Sequence, residues 1–349
     1  MFAVSRASDE IHSVYAGLAG DGDTRSSPQN GTSPWTWKMK RCIPGIRPLS
    51  PKLEAAARNN VNEVPERRQE DLAHIREWIL TQPHLRARTD DAFLLIFLRG
   101  CKFSLERTKE KIDAYYTYRT ALPEFFSNRD PMLPELQTLL NTAMALTLDC
   151  EPDCGPLWVF RATNYDPKVS NVNDMVKVMF MMEEIVLMES DESVIYGQNL
   201  LIDLENVTMS HLLQYSPLVI KKMFQVWQAG YPCRPQALNF INTPSFFESL
   251  LSLMRSLLKE KLKERFFLHP NIEALQTDKL KSILPTEYGG DAGSMKSIGA
   301  AWKAKIESYR DYFLQDEKYG VDESKRPGKP KTVEEMFGAE GSFRSLQVD

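Results

Sequence analysis

The sequence has little of what disulfide frameworks, metal centres and most active sites are built from. Its 349 residues include five cysteines and five histidines, and cysteines so few and so scattered do not make a disulfide framework. Cys150 and Cys154 are close in sequence, but no further Cys or His stands beside them to complete a zinc site. We therefore expect a chain from a reducing compartment, with no bound metal ion and no cofactor.

Signals for membrane insertion, export and nucleic-acid binding are also missing. No apolar run approaches the roughly 18 residues that a bilayer-spanning helix needs. The first residues, MFAVSRASDEIHSVYAG, carry acidic groups where a signal peptide has its apolar core. The formal net charge of -4 gives no general attraction to nucleic acid. We expect a cytoplasmic protein that touches membranes without crossing them and has no nucleic-acid partner.

Motifs of catalysis are absent as well. The sequence has no nucleophile elbow, no phosphate-binding glycine loop and no cluster of metal ligands. Asp203 with Glu205, or Glu183 with Glu184, would supply a carboxylate pair in principle, but the histidines that usually act as bases are scarce. We expect a binding protein and not an enzyme, with no catalytic residues.

Composition and periodicity divide the chain. Residues 1–65 are rich in Ser, Gly, Pro, Asn and Asp and predict a disordered leader. Residues 66–133 carry three helical patterns and predict a small helical bundle. A further helix is predicted over 296–317, and the charged, proline-broken residues 318–349 predict a disordered tail.

The middle of the chain, 134–295, alternates between short β-rich runs and helical patterns. The runs are 157–160, 199–204 and 237–241, and the helical patterns between them cover 173–189 and 211–230. Alternation of strand and helix requires crossover connections, which favour parallel strands. The pattern predicts an α/β fold with a mainly parallel sheet.

The stretch 243–267 has the most pronounced apolar helical pattern. Its apolar residues recur at three-and-four spacing, and Ser245 with Glu248 forms a capping-box signature, so a helix is predicted to begin near Ser245. The second half of the stretch is basic. The pattern fits an ordinary core helix with one solvated face, and it fits a lid over an apolar cavity with its basic end on a membrane surface.

Several segments occur in the order and at the spacing of the CRAL-TRIO, or Sec14-like, lipid-transfer family. They are DDAFLLIFLRGCKFSLERTKEKIDAYYTYR, NYDPK, LLIDLEN, GYPCRPQALNFINTPSFF, LKEKLKERFFLH and ILPTEYGGD. Independent segments in one order make the pattern specific, and the chain therefore resembles that family. The resemblance implies an N-terminal helical bundle followed by a lipid-binding α/β domain, with a mainly parallel sheet as floor, flanking helices and a mobile lid helix.

For the pocket, the resemblance implies residues from the strands, from the helix before the second strand and from the lid. They are Phe160, Val176, Met179, Glu183, Val186, Leu201, Phe240, Phe247, Leu250, Leu251, Met254 and Leu258. The resemblance implies tocopherol, a retinoid or a similar isoprenoid as the cargo, and the methionines of this pocket would adapt to its shape. For Glu183 an alternative stays open, packing against a helical neighbour, because a pocket carboxylate needs a partner.

The resemblance also implies a basic cleft for a phosphoinositide headgroup. Its cations are Arg99, Lys102, Arg234, Arg255, Lys261 and Arg265. Cys101 and Gln236 stand where the family pattern has two further cations, and each lost cation removes about 1–3 kcal/mol of charge-assisted hydrogen bonding. The expected partners are a hydrophobic small-molecule lipid and phosphoinositide-containing membranes, and we expect a monomer.

These expectations combine into a function. An intracellular carrier would bind the lipid in its pocket and exchange it by lid opening, peripherally on endosomal or other intracellular membranes. A lipid of about 20 carbons gains roughly 16 kcal/mol on leaving water, before ordering costs, and so needs a carrier. A second class stays open, a phosphoinositide or phospholipid sensor or a regulatory adaptor that delivers no cargo.

Overall fold

The N-terminal part of the chain folds into helices. The computed structural model describes residues 45–149, 154–275 and 277–338. The side chain of Asp90 caps the third helix, accepting a hydrogen bond from the backbone N–H of Phe93 at 3.0 Å. In chain order the first elements are α1 (Pro51–Val61), α2 (Arg68–Thr81), β1 (Leu85–Arg86), α3 (Asp91–Gly100), α4 (Leu105–Ala121), α5 (Pro123–Phe126) and α6 (Pro134–Leu140).

The prediction of a disordered leader over 1–65 is wrong for its last part, where α1 lies. Ser50 caps α1, and Pro51 occupies its first position, where a missing N–H costs nothing. Leu53, Ala57 and Val61 recur every four residues and are buried, but polar neighbours conceal that stripe in the sequence. Residues 1–44 of the predicted leader lie outside the described residues.

A five-stranded sheet forms the floor of the second part. Phe160, Ile202 and Phe240 are register partners across three strands and therefore share one face of the sheet. The first strand pairs antiparallel with the second, and the remaining pairs are parallel, which confirms the mainly parallel α/β fold. The strand order is β2 (Ala145–Leu148), β3 (Leu157–Arg161), β4 (Gln198–Asp203), β5 (Pro235–Ile241) and β6 (Phe266–His269).

Helices connect the strands. They are α7 (Val172–Glu189), α8 (Asp191–Ile195), α9 (Met209–Gln214) and α10 (Pro217–Gln225), the last continued by a π-helical turn, Val226–Gly230. The helix predicted over 173–189 is present as α7 and is buried on most sides. The helix predicted over 211–230 is interrupted, because Pro217 has no N–H to donate and Ser216 caps a new helix there.

The helix predicted over 243–267 is much shorter in the structure. A 3₁₀ turn spans Ser245–Phe247, α11 spans Glu248–Ser256, α12 spans Glu260–Lys263, and β6 then joins the sheet edge. Ser245 makes no side-chain cap, so the capping-box prediction is wrong. The chain leaves the helical path after Ser256 because pairing with β5 and a side chain from a distant turn, described below, replace helical hydrogen bonds.

The C-terminal part is more ordered than predicted. The helix predicted over 296–317 is two helices, and the disordered tail predicted over 318–349 is wrong for 320–338. There Arg326 donates to Asp113 of α4 at 2.8 Å, and Phe337 is buried, so the charges of this segment serve as ion pairs. Residues 339–349 lie outside the described residues. The elements are α13 (Asp278–Ile283), α14 (Met295–Ser308), α15 (Arg310–Asp316), β7 (Gly320–Val321), antiparallel to β1, and α16 (Val333–Phe337).

Candidate functional site

An apolar cavity of about 180 Å³ lies against one face of the sheet. Strands β3, β4 and β5 supply one wall, and α7, α9, α10 and α11 supply the others. Protein interiors are close-packed and contain few voids larger than a water molecule. An apolar void of this size does not favour water and suits an apolar molecule.

Nine residues proposed for the pocket from the sequence line this cavity. They are Phe160, Val176, Met179, Glu183, Leu201, Phe240, Phe247, Leu250 and Met254. Leu251 and Leu258 are buried beside it without lining it. Leu251 follows Leu250 directly and so points about 100° away around α11. Val186 borders a second, more polar cavity instead. Because α7 is buried on most sides, the spacing of its apolar residues does not tell which side faces the apolar cavity.

Sequence reasoning missed the part of the wall that α9 and α10 supply. Met223, Phe224 and Trp227 lie on a pattern recognised as helical, but nothing local showed which face would meet the cavity. The position of Gln198 on the cavity wall could have been predicted, since strand alternation places Gln198 on the same face as Leu200. Both line the cavity.

Glu183 and Gln198 form a polar pair on the wall. The Oε1 of Glu183 accepts a hydrogen bond from the Nε2 of Gln198 at 2.8 Å, and both side chains are buried. Burial raises the pKa of Glu183 to about 7, against a smaller lowering by the Gln198 hydrogen bond, and repulsion from Glu184 raises it further. Glu183 lines the cavity, and its hydrogen-bond partner comes from β4.

Glu184, the next residue, has the opposite surroundings. Its carboxylate accepts hydrogen bonds from Arg119 at 2.7 Å, from Arg129 at 2.8 Å and from the Tyr231 hydroxyl at 2.8 Å. Asp316 is the second carboxylate of this buried group and binds both arginines. Burial alone would raise the pKa of Glu184, but the two arginines lower it to about 2. The pKa values of two adjacent glutamates thus shift in opposite directions, because only Glu184 is paired with cations.

A side chain from the π-helical turn binds the break after α11. The Nε2 of Gln228 donates to the Leu257 carbonyl at 3.2 Å, and its Oε1 accepts from the Lys259 N–H at 3.0 Å. Lys111 of α4 supports this turn, with its Nζ donating to the carbonyls of Gln228 at 3.0 Å and Tyr231 at 2.8 Å. We name Gln228 and its two backbone partners, Leu257 and Lys259, the latch. It connects the helical bundle, through Lys111, to the end of α11.

Four predicted cations lie close together at the end of α3, around β5 and on α12. Burial and the nearby charges of Arg234, Lys261 and Arg265 lower the pKa of Lys102. Arg234 donates to the carbonyls of Val194 and Ile195 at 3.0 and 2.7 Å, and Arg265 donates to that of Pro235 at 2.5 Å. Uncharged backbone carbonyls thus hold both arginines in place. We name Lys102, Arg234, Lys261 and Arg265 the basic cluster.

Arg99 is not part of this cluster, and its prediction as a headgroup ligand is wrong. It is 2% exposed and donates to Glu63 at 2.8 Å and to Asp191 at 2.5 Å. Both carboxylates are distant in sequence, so the motif around Arg99 did not reveal them. Arg255 is exposed on α11 and is not among the cations that lower the pKa of Lys102.

Two family models match the chain. Residues 64–136 match a Pinta-like UBA domain, and residues 140–290 match a CRAL/TRIO domain. The alpha-tocopherol transfer protein-like protein of Mus musculus is 31% identical over 271 residues, covering 77% of this chain and 78% of that protein. The chain belongs to the CRAL/TRIO family. The resemblance predicted from the sequence segments is confirmed.

Further similarities accompany the CRAL/TRIO match. Clavesin-2 of Homo sapiens is 28% identical over 308 residues, covering 86% of this chain and 90% of clavesin-2. The crystal structure of Sfh5 aligns with a TM-score of 0.43 and 13% identity, covering 78% of this chain and 99% of that one. CRAL/TRIO proteins are lipid-binding transfer proteins, and the apolar cavity lies within the matched domain.

Among residues 45–149, 154–275 and 277–338, no group of His, Cys, Asp and Glu is arranged to hold a metal ion. In the same residues of this CRAL/TRIO chain, no helix combines the length and apolarity needed to cross a bilayer.

Proposed function

We propose that this chain is an intracellular carrier for a neutral isoprenoid lipid, such as tocopherol or a retinoid. The lipid occupies the apolar cavity and is exchanged at a membrane when α11 moves away. The observation that carries the proposal is that α11 and the turn before it form one wall of the cavity through Phe247, Leu250 and Met254. Moving this single short element would open the cavity.

The energetics favour opening at a membrane. An apolar lipid of about 20 carbons loses roughly 16 kcal/mol of hydrophobic stabilisation if it returns to water. Moving α11 into water would also expose the buried side chains of Phe247, Leu250 and Leu251, at about 1.5–3 kcal/mol each. An acyl-chain surface offsets both costs. Release and membrane docking are then one event.

The basic cluster supports phosphoinositide binding as part of the same function. Lys261 lies on α12, directly after the latch, and Lys102 faces three like charges. Headgroup phosphates relieve that repulsion, and each cation near an anionic membrane adds about 1 kcal/mol. We place the protein in the cytoplasm as a monomer, peripherally on endosomal or other intracellular membranes.

A vesicle assay separates this carrier from the alternative, a lipid sensor or regulatory adaptor. Donor vesicles hold a fluorescent tocopherol analogue, and acceptor vesicles contain phosphatidylinositol bisphosphate. A carrier increases the transfer rate in proportion to its concentration. A sensor binds the acceptor vesicles and leaves the transfer rate unchanged, and that result would overturn the proposal.

Met254→Asp is expected to weaken binding of the tocopherol analogue by about tenfold or more. Met254 is half-buried on the cavity wall, and a carboxylate there loses hydration when an apolar ligand binds, at about 1–3 kcal/mol. Fluorescence titration measures the affinity. Ser252→Asp is the matched control, since Ser252 lies on the exposed side of α11. Equal weakening by both variants would show that charge on the helix matters and the cavity wall does not.

Gln228→Ala is expected to increase the release rate of the tocopherol analogue by about tenfold. The substitution removes two hydrogen bonds that hold the break after α11, each worth about 1 kcal/mol. Stopped-flow transfer to acceptor vesicles measures the rate. Gln225→Ala is the control, because the Oε1 of Gln225 has no hydrogen-bond partner among the described residues. An unchanged release rate for Gln228→Ala would exclude the latch from the opening step.

A further inference from the structure

The cavity wall contains a polar pair, Glu183 and Gln198, and a purely apolar cargo would form no hydrogen bond with it. Gln198 is the first residue of β4, and Glu183 contacts it from α7. Both line the cavity. His211 and Tyr215, also on the wall, already have partners: His211 lies 3.2 Å from the Tyr165 carbonyl, and the Tyr215 hydroxyl donates to the sulfur of Met175 at 3.5 Å.

The hydrogen-bonding capacity of Glu183 is only partly used. Its Oε1 accepts the single bond from Gln198 at 2.8 Å, and within the described residues its Oε2 has no hydrogen-bond partner. A buried carboxyl group without a second partner is costly. Its free oxygen is therefore available to a polar group on the cargo.

The charges around Glu183 exclude an anionic cargo. Arg119 and Arg129 are bound by Glu184 and Asp316. Among the described residues that line the cavity, none is a lysine or an arginine. A ligand carboxylate beside Glu183 would be buried next to another acidic side chain, and no lysine or arginine of the cavity lining could pair with it, which is strongly unfavourable.

We infer that Glu183 and Gln198 select a cargo lipid whose polar group is an uncharged hydroxyl and reject the corresponding carboxylate. This inference rests on the proposed carrier function and names the chemical class of its substrate. A hydroxyl both donates and accepts hydrogen bonds, so it can pair with Glu183 in either protonation state of that side chain. The amide of Gln198 offers a further donor and acceptor beside it. A carboxylate only accepts and pairs with Glu183 only when Glu183 is protonated.

Two isoprenoids that differ only at the polar end test the inference. Geranylgeraniol and geranylgeranoic acid are offered in equal amounts to the full chain at pH 7.5, and native mass spectrometry measures the ratio of the two complexes. We expect the alcohol to be favoured by at least about tenfold, a difference of roughly 1.4 kcal/mol. Equal occupancy by the two lipids would overturn the inference while leaving the carrier function intact.

Glu183→Gln separates charge from cavity shape. The substitution keeps the size of the side chain and removes its charge, so binding of the acid is expected to improve about tenfold or more, with binding of the alcohol within about threefold of the original. Glu205→Gln is the control, an exposed carboxylate beyond β4 that does not line the cavity. A preference for the alcohol that persists unchanged in Glu183→Gln overturns the inference. Binding of neither isoprenoid, together with no transfer of the tocopherol analogue, overturns the carrier function itself.

Discussion

Glu184→Gln is expected to lower the free energy of unfolding by about 3–5 kcal/mol, the cost of breaking a buried ion pair by removing one partner. The substitution leaves Arg119 and Arg129 buried with Asp316 as their remaining carboxylate. The group also joins α4, α7 and α15, so its loss affects both parts of the molecule. Urea unfolding at pH 7, followed by circular dichroism, measures the change.

The adjacent residue supplies the control for this prediction. Glu183→Gln removes a carboxylate that has no cation and that burial keeps partly protonated, so its effect on stability is expected to be small or favourable. If the two substitutions lower the unfolding free energy equally, the ion pairs of Glu184 are not what stabilises this region.

The pH dependence of the Glu184 effect has a definite sign. The folded pKa of Glu184 is about 2, below its ordinary value of 4.5. Its contribution to stability is therefore complete above about pH 4.5 and is lost as the pH falls toward 2. For Glu183, with a folded pKa of about 7, stability instead falls as the pH rises from 4.5 to 7. The gap between Glu184→Gln and the original chain should narrow below pH 4.5.

Lys102→Glu combined with Lys261→Glu is expected to weaken binding to vesicles that contain phosphatidylinositol bisphosphate by about a thousandfold. Each cation contributes about 1 kcal/mol at an anionic surface, and reversing its charge changes the interaction by about twice that amount. Lys102 lies among like charges, so the substitutions also relieve repulsion, and the fold should tolerate them. Vesicle sedimentation measures the binding.

A charge-matched double variant completes this test. Lys263→Glu with Lys296→Glu changes the net charge equally, but Lys263 is paired with Glu260 and Lys296 is exposed on α14. We expect this control to weaken vesicle binding by less than about tenfold. Equal losses for the two double variants would mean that net charge, and not the basic cluster, attracts the membrane.

Strands β3, β4 and β5 and helices α2, α3 and α4 were predictable because their signals are local. Each is a run of one periodicity bounded by a cap, a proline or a glycine. The end of α11 was not predictable in this way. Gln228, which hydrogen-bonds to the backbone at this end, lies 31 residues from Lys259, so no short window along residues 243–267 contains the partner.

For the site residues, too, local signals could be predicted and long-range contacts could not. Apolar residues of the strands and of α11 were found because alternation and helical spacing place them on one face. Arg99 was misassigned because its carboxylate partners, Glu63 and Asp191, are 36 and 92 residues away. The predicted cations therefore do not all have the same role. A cation that packs against carboxylates, as Arg99 does, forms ion pairs within the protein and is not available to bind an anion.

The ordered segment after α15 has a practical consequence. Its Phe337 ring lies 6.2 Å from Tyr118 of the helical bundle, and its carbonyl accepts a hydrogen bond from Lys221 of α10 at 2.9 Å. Since α10 also borders the cavity, truncating the chain after Asp316, for example for crystallisation, would remove contacts that hold one wall of the cavity in place. Shortened versions should therefore leak cargo faster than the full-length chain, and affinity tags are better attached beyond residue 338.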